Sequence, residues 1–189
     1  PAAPAKPESA RQEPEPLNLK MRVKATADID RTVYKGIAIT DFRSQVELKD
    51  NVLRIISLTG NTLSGAFALK GTVDLARRGT AYQMSSDLKG IRLEELVGAF
   101  APKAKGKISG VLSGKADVSG AGTLPANVKR NLKGKGSFAV KDGAIRNAEL
   151  SAGLLAILGL QELREIPIRT AQGSFTVGGQ IVNLQTVLA

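Results

Sequence analysis

Alternation of apolar and polar positions is the dominant pattern along this chain. The stretch KISGVLSGKADVSGAG, from Lys107 to Gly122, places isoleucine, leucine, alanine, valine and glycine at even positions and mostly polar residues at odd positions. A period of two is typical of a β-strand with one apolar face. Glycines fall on the apolar side, where they permit bends and the close approach of other groups. The stretch therefore predicts a long, bendable strand.

The same alternation predicts further strands, and a period near four predicts short helices between them. Leu17 to Ile29 is expected to form a long first strand. Helices are expected over Arg92 to Ala101, which stops before a proline, and over Pro125 to Leu132, which begins with one. A third helix, Asn147 to Leu158, is apolar nearly all round. We expect it to pack on the apolar surface of the sheet, so that Leu154→Asp would bury an unpaired charge and destabilise the protein.

One hairpin module recurs in the chain. The segments SQVELKDNVLRI, GSFAVKDGAIRN and GSFTVGGQIVNL align without gaps, and each predicts strand, turn and strand. The turns are expected at Asp50-Asn51, Asp142-Gly143 and Gly178-Gly179. Repeated hairpins favour an antiparallel meander over a βαβ fold. The predicted fold class is mainly β: a long curved antiparallel sheet with two or three short helices packed on it.

Composition argues against an enzyme. The 189 residues include no cysteine and no histidine, which removes thiolate chemistry, the commonest general base and the commonest transition-metal ligand. Gly110 and Gly114 imitate a P-loop, but they are one residue too close together and Lys115 is followed by Ala116 instead of a hydroxyl residue. A loose dinucleotide motif beginning at Gly134 follows a helix and opens a strand, the reverse of the required order. We expect no catalytic residue, no metal and no cofactor.

Positive charge is the remaining chemical signal. The net charge is +10, and residues 100–148 hold ten lysines and arginines against two aspartates. Such a patch suits nucleic acid, an anionic membrane surface or an acidic partner, and it is also what the solvated face of a β protein presents. Nucleic acid is disfavoured because the chain has only two tyrosines and five phenylalanines for base stacking.

The sequence is expected to divide into a linker and one domain. Residues 1–16 are rich in proline, alanine and glutamate and predict a disordered linker. Residues 17–189 are expected to form the β domain, as a piece of a longer protein. The most apolar run, Ala152 to Leu160, is far shorter than the roughly 20 residues that cross a bilayer.

An ordered set of these motifs resembles the C-terminal region of AsmA-like proteins. The set comprises YKGIAITDFRSQVELKDNVLRI, GAFALKGTVDL, LKGIRLEELVGAF, GKISGVLSGKADVSGAG and NLKGKGSFAVKDGAIRNAEL, and the similarity covers Leu17 to Ala189. The resemblance implies a periplasmic protein of a bacterium with two membranes. It implies an inner-membrane anchor in a segment absent from this chain, a role in outer-membrane biogenesis, and a likeness to bridge-like lipid transfer proteins. It supplies no catalytic residue.

Two functions follow as alternatives. In the first, the protein is a scaffold for lipid handling or phospholipid transfer, and one concave apolar side contacts acyl chains. The lipid-facing candidates share one parity on their strands, and they are Phe67, Leu69, Leu112, Val118, Phe138, Val140, Phe175 and Val177. In the second, the protein is a structural or interaction module that contacts other envelope proteins without carrying lipid. For either function, the same apolar residues could instead form an ordinary closed core under the helices.

Overall fold

The fold is a single sheet with two short helices, taken from a computed structural model that describes residues 12–34, 36–146 and 165–188. The strands are β1 (Val23–Tyr34), β2 (Ile37–Lys49), β3 (Val52–Thr62), β4 (Gly65–Asp74), β5 (Ala81–Arg92), β6 (Ile108–Ala121), β7 (Lys133–Arg146), β8 (Glu165–Gly178) and β9 (Ile181–Leu188). The helices are α1 (Leu93–Phe100) and α2 (Pro125–Asn131), and a 3-10 turn spans Pro102–Ala104.

The sheet is an antiparallel meander, as the repeated hairpins predict. Its nine strands lie in the order in which they occur along the chain, and each pairs with its sequence neighbours. The mainly β fold with an open, curled sheet and few helices is therefore confirmed. Because successive strands run in opposite directions, α1 and the β1–β2 and β3–β4 turns lie at one end of the sheet. The β2–β3, β4–β5 and β8–β9 turns lie at the other end with α2.

One predicted turn is wrong. Asp142-Gly143 does not reverse the chain, because β7 continues through it and pairs with β8 on its other side. Asp142 has a φ of 49°, and the pairing of β6 with β7 shifts by one residue opposite it, at Gly110. The local geometry is that of a β-bulge, which needs the same positive φ as a tight turn. The turns at Asp50-Asn51 and after Gly178 are hairpins, as predicted.

The predicted first strand begins later than its alternation suggests. β1 starts at Val23, and the segment Gln12–Leu19, here called the strap, crosses the α2 end of the sheet instead. The Leu17 amide donates to the Leu75 carbonyl at 2.8 Å, and the Leu19 amide donates to the Asn51 side chain. These donors bond to hairpin turns and so are not available for a strand ladder.

The two described helices fall where the sequence places them. α1 contacts β5 and β6, and α2 contacts β6. None of the helices in the described ranges is long and apolar enough to cross a membrane. The predicted helix Asn147 to Leu158 lies outside the described residues, as do residues 1–11, so the packing of that helix and the linker over residues 1–16 stay predictions.

Candidate functional site

The strand register places all the lipid-facing candidates on one face of the sheet, here called the apolar face. Directly opposed residues on neighbouring antiparallel strands point to the same side, so a row of opposed residues defines a face. One row crosses the whole sheet through Ala25, Val46, Ile55, Gly71, Met84, Val118, Gly134, Val177 and Val182. A second crosses it through Ala27, Ser44, Leu58, Leu69, Ser86, Ala116, Gly136, Phe175 and Leu184.

The other candidates lie on two shorter rows beside these. One contains Gly60, Phe67, Leu88, Gly114, Phe138, Gly173 and Thr186. The other contains Ile91, Leu112, Val140, Ala171 and Leu188. No residue of the four rows carries a charge. Contact of these residues with lipid, and the concavity of this face, stay predictions.

The three phenylalanines of the four rows, Phe67, Phe138 and Phe175, each lie against a glycine of the neighbouring strand. Phe138 is opposite Gly173, and a Cβ added to that glycine would lie 2.8 Å from the Phe138 Cζ. Phe175 is opposite Gly136, where the corresponding distance to Cζ is 2.6 Å. The rings therefore lean across the neighbouring strand and cover its backbone, as aromatic residues do when they protect glycines in a sheet. The sequence alone places glycines on the apolar side of the strands, but only the strand register shows which glycine lies opposite each phenylalanine.

No second layer of described structure covers the apolar face. The candidate residues are half-buried, and the buried hydrophobic residues within the described ranges are Ile91, Ala144 and Ala171. A sheet of this size packed on another layer would bury a contiguous set of large side chains. The face is therefore apolar, continuous and only partly shielded by the strands that carry it.

The register also adds residues that were not among the candidates. Met84, Leu88 and Ile91 on β5 and Leu184 on β9 share rows with them. The alternation of β5 contains the signal for Met84 and Leu88. Ile91 is on the opposite parity, and it reaches the same face because the pairing shifts by one residue at Gly90, whose φ is 67°. That shift depends on the partner strand and is not visible in the sequence.

The opposite face is polar. The row Asp28, Arg43, Thr59, Ala68, Asp87, Lys115, Ser137, Ser174 and Gln185 crosses the whole sheet. The Lys115 ammonium lies 3.5 Å from the Asp87 carboxylate. The Ser85 hydroxyl donates to Asp117 on the adjacent strand. Neighbouring charges and hydroxyls pair across the strands, so this face interacts well with water and is a poor surface for an acyl chain.

Several carboxylates in the described ranges form structural hydrogen bonds or ion pairs. No group of three or more acidic side chains in those ranges could hold a metal ion. Glu47 accepts a hydrogen bond from the Arg22 Nε at 2.8 Å, and this bond lowers the pKa of its carboxyl. Arg92 binds Glu94 at 2.7 Å at the start of α1.

One carboxylate anchors the N-terminal end of the strap. Glu13 accepts hydrogen bonds from the Thr123 hydroxyl at 2.7 Å, the Thr123 amide at 2.9 Å and the Asn127 side chain at 2.6 Å. The side-chain bonds to Thr123 and Asn127 are the main cause of a pKa lowered to about 2. The Gly79 amide also donates to the Pro14 carbonyl at 3.2 Å. Glu13 therefore joins the N-terminal segment to the start of α2.

Comparison with known proteins agrees with this architecture. The family model described as the AsmA family matches residues 3–183, which is nearly the whole chain. No curated protein and no solved structure matches the chain. The ordered motifs and the matching family model together show that the chain belongs to the AsmA family.

Proposed function

We propose that this protein is a non-enzymatic scaffold that holds phospholipid acyl chains on the apolar face of its sheet. The observation that carries the proposal is the pair of uncharged rows that cross all nine strands. An acyl chain requires only continuous apolar contact, because the hydrophobic effect has no direction. Each methylene group transferred from water to such a surface contributes about 0.8 kcal/mol.

The dimensions suit this ligand. Nine strands spaced about 4.8 Å apart give a row of roughly 38 Å along the sheet. The hydrocarbon core of a bilayer is about 30 Å thick and holds two opposed acyl chains, so one chain spans about 15 Å. A row is therefore longer than an acyl chain. The phenylalanine rings lie across the backbone of the opposite glycines, so they project little from the apolar face.

Family membership supports the cellular compartment that the proposal requires. AsmA-like proteins are expected in the periplasm of bacteria with two membranes, where phospholipid must cross an aqueous space during outer-membrane biogenesis. The proposal therefore puts this protein in the periplasm, with its inner-membrane anchor in a segment outside this chain. The polar opposite face and the paired charges on it are compatible with an aqueous compartment.

Native mass spectrometry of the protein after mild extraction from its bacterium tests the proposal. We expect phospholipid to co-purify with the parent protein. Val118→Asn, on the apolar face, should reduce the lipid-bound fraction, whereas Ser119→Asn, on the adjacent position of the opposite face, should not. A lipid-free mass for the parent protein would contradict lipid handling, and it would favour a module that contacts other envelope proteins.

A further inference from the structure

A second surface, separate from the apolar face, lies at the end of the sheet that carries α1. Here a large apolar side chain is exposed next to three lysines: Phe100, Lys103, Lys105 and Lys107 form what is called here the tip. Phe100 ends α1 and remains 58% exposed. Val33 and Tyr34 are the last residues of β1 at the same end of the sheet and are 60% and 59% exposed. Exposed apolar side chains therefore gather where lysines are concentrated.

The tip is ordered by its own backbone. The Ala101 amide donates to the Val97 carbonyl at 2.8 Å, and the Ala104 amide donates to the Ala101 carbonyl at 2.8 Å. The Lys107 carbonyl accepts from the Arg146 amide at 2.6 Å, which ties the segment to the end of β7. The exposure of Phe100 is consequently a property of a formed turn and needs no rearrangement to present the ring.

The lysines of the tip have no acidic partner within the described part of the chain. At the start of α1, both nearby carboxylates bind Arg92 instead: Glu94 at 2.7 Å and Glu95 at 3.5 Å. The stem of Lys105 lies beside α1, because a Cβ added to Gly98 would be 3.8 Å from its Cγ. An aliphatic stem held along the helix leaves the ammonium group directed to water.

The opposite end of the sheet is different. There the strap supplies acidic groups, and Arg78 binds Glu15 at 2.9 Å. Arg77 binds Asp74 at 3.0 Å. Two arginines at the α2 end are therefore paired inside the protein, whereas none of the three tip lysines forms an ion pair with a described residue.

We propose that the tip docks on the surface of an anionic phospholipid bilayer. Lysines adjacent to a membrane are attracted by anionic headgroups, and an aromatic ring beside them enters the boundary between headgroups and acyl chains. A nucleic acid would instead favour several aromatic side chains for successive bases, and the tip has a single one. This docking does not depend on acyl-chain binding along the apolar face.

Co-sedimentation with vesicles tests the docking. The whole chain should bind phosphatidylcholine vesicles that contain phosphatidylglycerol, and it should bind pure phosphatidylcholine vesicles much more weakly. Replacing Lys103, Lys105 and Lys107 by glutamine should weaken binding to the anionic vesicles about a hundredfold, since each lysine contributes about a factor of five. A control with Lys129, Lys133 and Lys135 replaced by glutamine removes the same charge elsewhere and should lower binding by about threefold or less.

A fluorescent reporter tests the role of Phe100 separately. The chain contains no tryptophan, so Phe100→Trp introduces a single indole. Its emission should shift to shorter wavelength when anionic vesicles are added. Ile181→Trp, at a site that is 65% exposed at the other end of the sheet, should show no shift.

Several results would overturn the proposal: no binding by the parent protein, equal losses in the two lysine variants, or an unchanged Phe100→Trp spectrum. The amount of co-purified phospholipid should stay at the parent level in the tip variants. A loss of docking with retained lipid therefore separates this proposal from the proposed function.

Discussion

The two faces of the sheet are made by the same strands, but they differ in charge and in polarity. Along the row that begins at Ala25, nine consecutive strands contribute no charge. Along the row that begins at Asp28, the strands contribute aspartate, arginine, lysine, serine and glutamine. Because side chains alternate along each strand, a shift of one residue would exchange the faces. The separation is therefore a property of the register as a whole.

This difference shows how a protein can present apolar surface without a closed core among its described residues. In a two-layer fold, the apolar side of a sheet is covered by another layer. Here α1 contacts β5 and β6, α2 contacts β6, and the eight lipid-facing candidates remain half-buried. Apolar surface left in water costs about 25 cal/mol per Å². A face of this kind favours any ligand that brings apolar surface of its own.

The largest expected effect comes from a charge placed on the apolar face. Phe138→Asp removes a ring that covers Gly173 and puts a carboxylate among uncharged neighbours, so the free energy of unfolding should fall by about 3 kcal/mol or more. Ser137→Asp puts the same charge on the other face, opposite Lys115, and should change it by less than about 0.5 kcal/mol. Urea unfolding measures both. Similar losses in the two variants would mean that the faces are not distinct environments.

A smaller effect is expected where a glycine accommodates an aromatic ring. In Gly173→Ala, the new methyl group would collide with the Gln185 carbonyl oxygen and lie 2.8 Å from the Phe138 Cζ. The resulting displacement should lower stability by about 2 kcal/mol.

Gly178 provides the matched control on the same strand. A Cβ there meets no atom within 4 Å, so Gly178→Ala should leave the free energy of unfolding within about 0.5 kcal/mol of the parent value. If both substitutions had the same effect, close contact between ring and glycine would not be the reason for glycine on the apolar face.

Sequence periodicity predicts the faces well and the irregularities poorly. Phe67, Val118 and Phe175 share a face with the other candidates because alternation is a local property that each strand carries by itself. The bulge at Asp142 was predicted as a turn, since aspartate-glycine supplies the positive φ that a bulge and a tight turn both need. Only the pairing of β7 with β8 excludes a reversal of the chain at this point. The contacts of Glu13 depend on residues more than one hundred positions away and have no local signal.

The strap should respond to pH through Glu13. In the folded protein the pKa of this carboxyl is lowered from its ordinary 4.5 to about 2, so its contribution is complete above about 4.5 and is lost as the pH falls toward 2. Glu13→Gln should increase hydrogen exchange at the Thr123 and Leu124 amides relative to the parent protein. The difference between the two proteins should shrink through that pH range. A constant difference down to pH 2 would mean that the charge of Glu13 does not hold the strap.

The smallest effect is expected for an ion pair on the polar face. Lys115→Met removes the partner of Asp87, but the Lys115 side chain is 75% exposed and the pair is screened by water. Stability should change by less than about 0.5 kcal/mol in thermal unfolding. A loss several times larger would show that the polar face is held together by its charges and would weaken the contrast with the apolar face.

Site-specific photo-crosslinking in living cells tests the central claim most directly. A photoreactive residue at Leu112 or Phe138 on the apolar face should capture phospholipid, and the same residue at Ser113, one position away on the opposite face, should not. Mass spectrometry of the crosslinked protein reads out the adduct. Capture confined to Leu112 and Phe138 is the result that acyl-chain binding predicts, and equal or absent lipid capture at all three positions would contradict it.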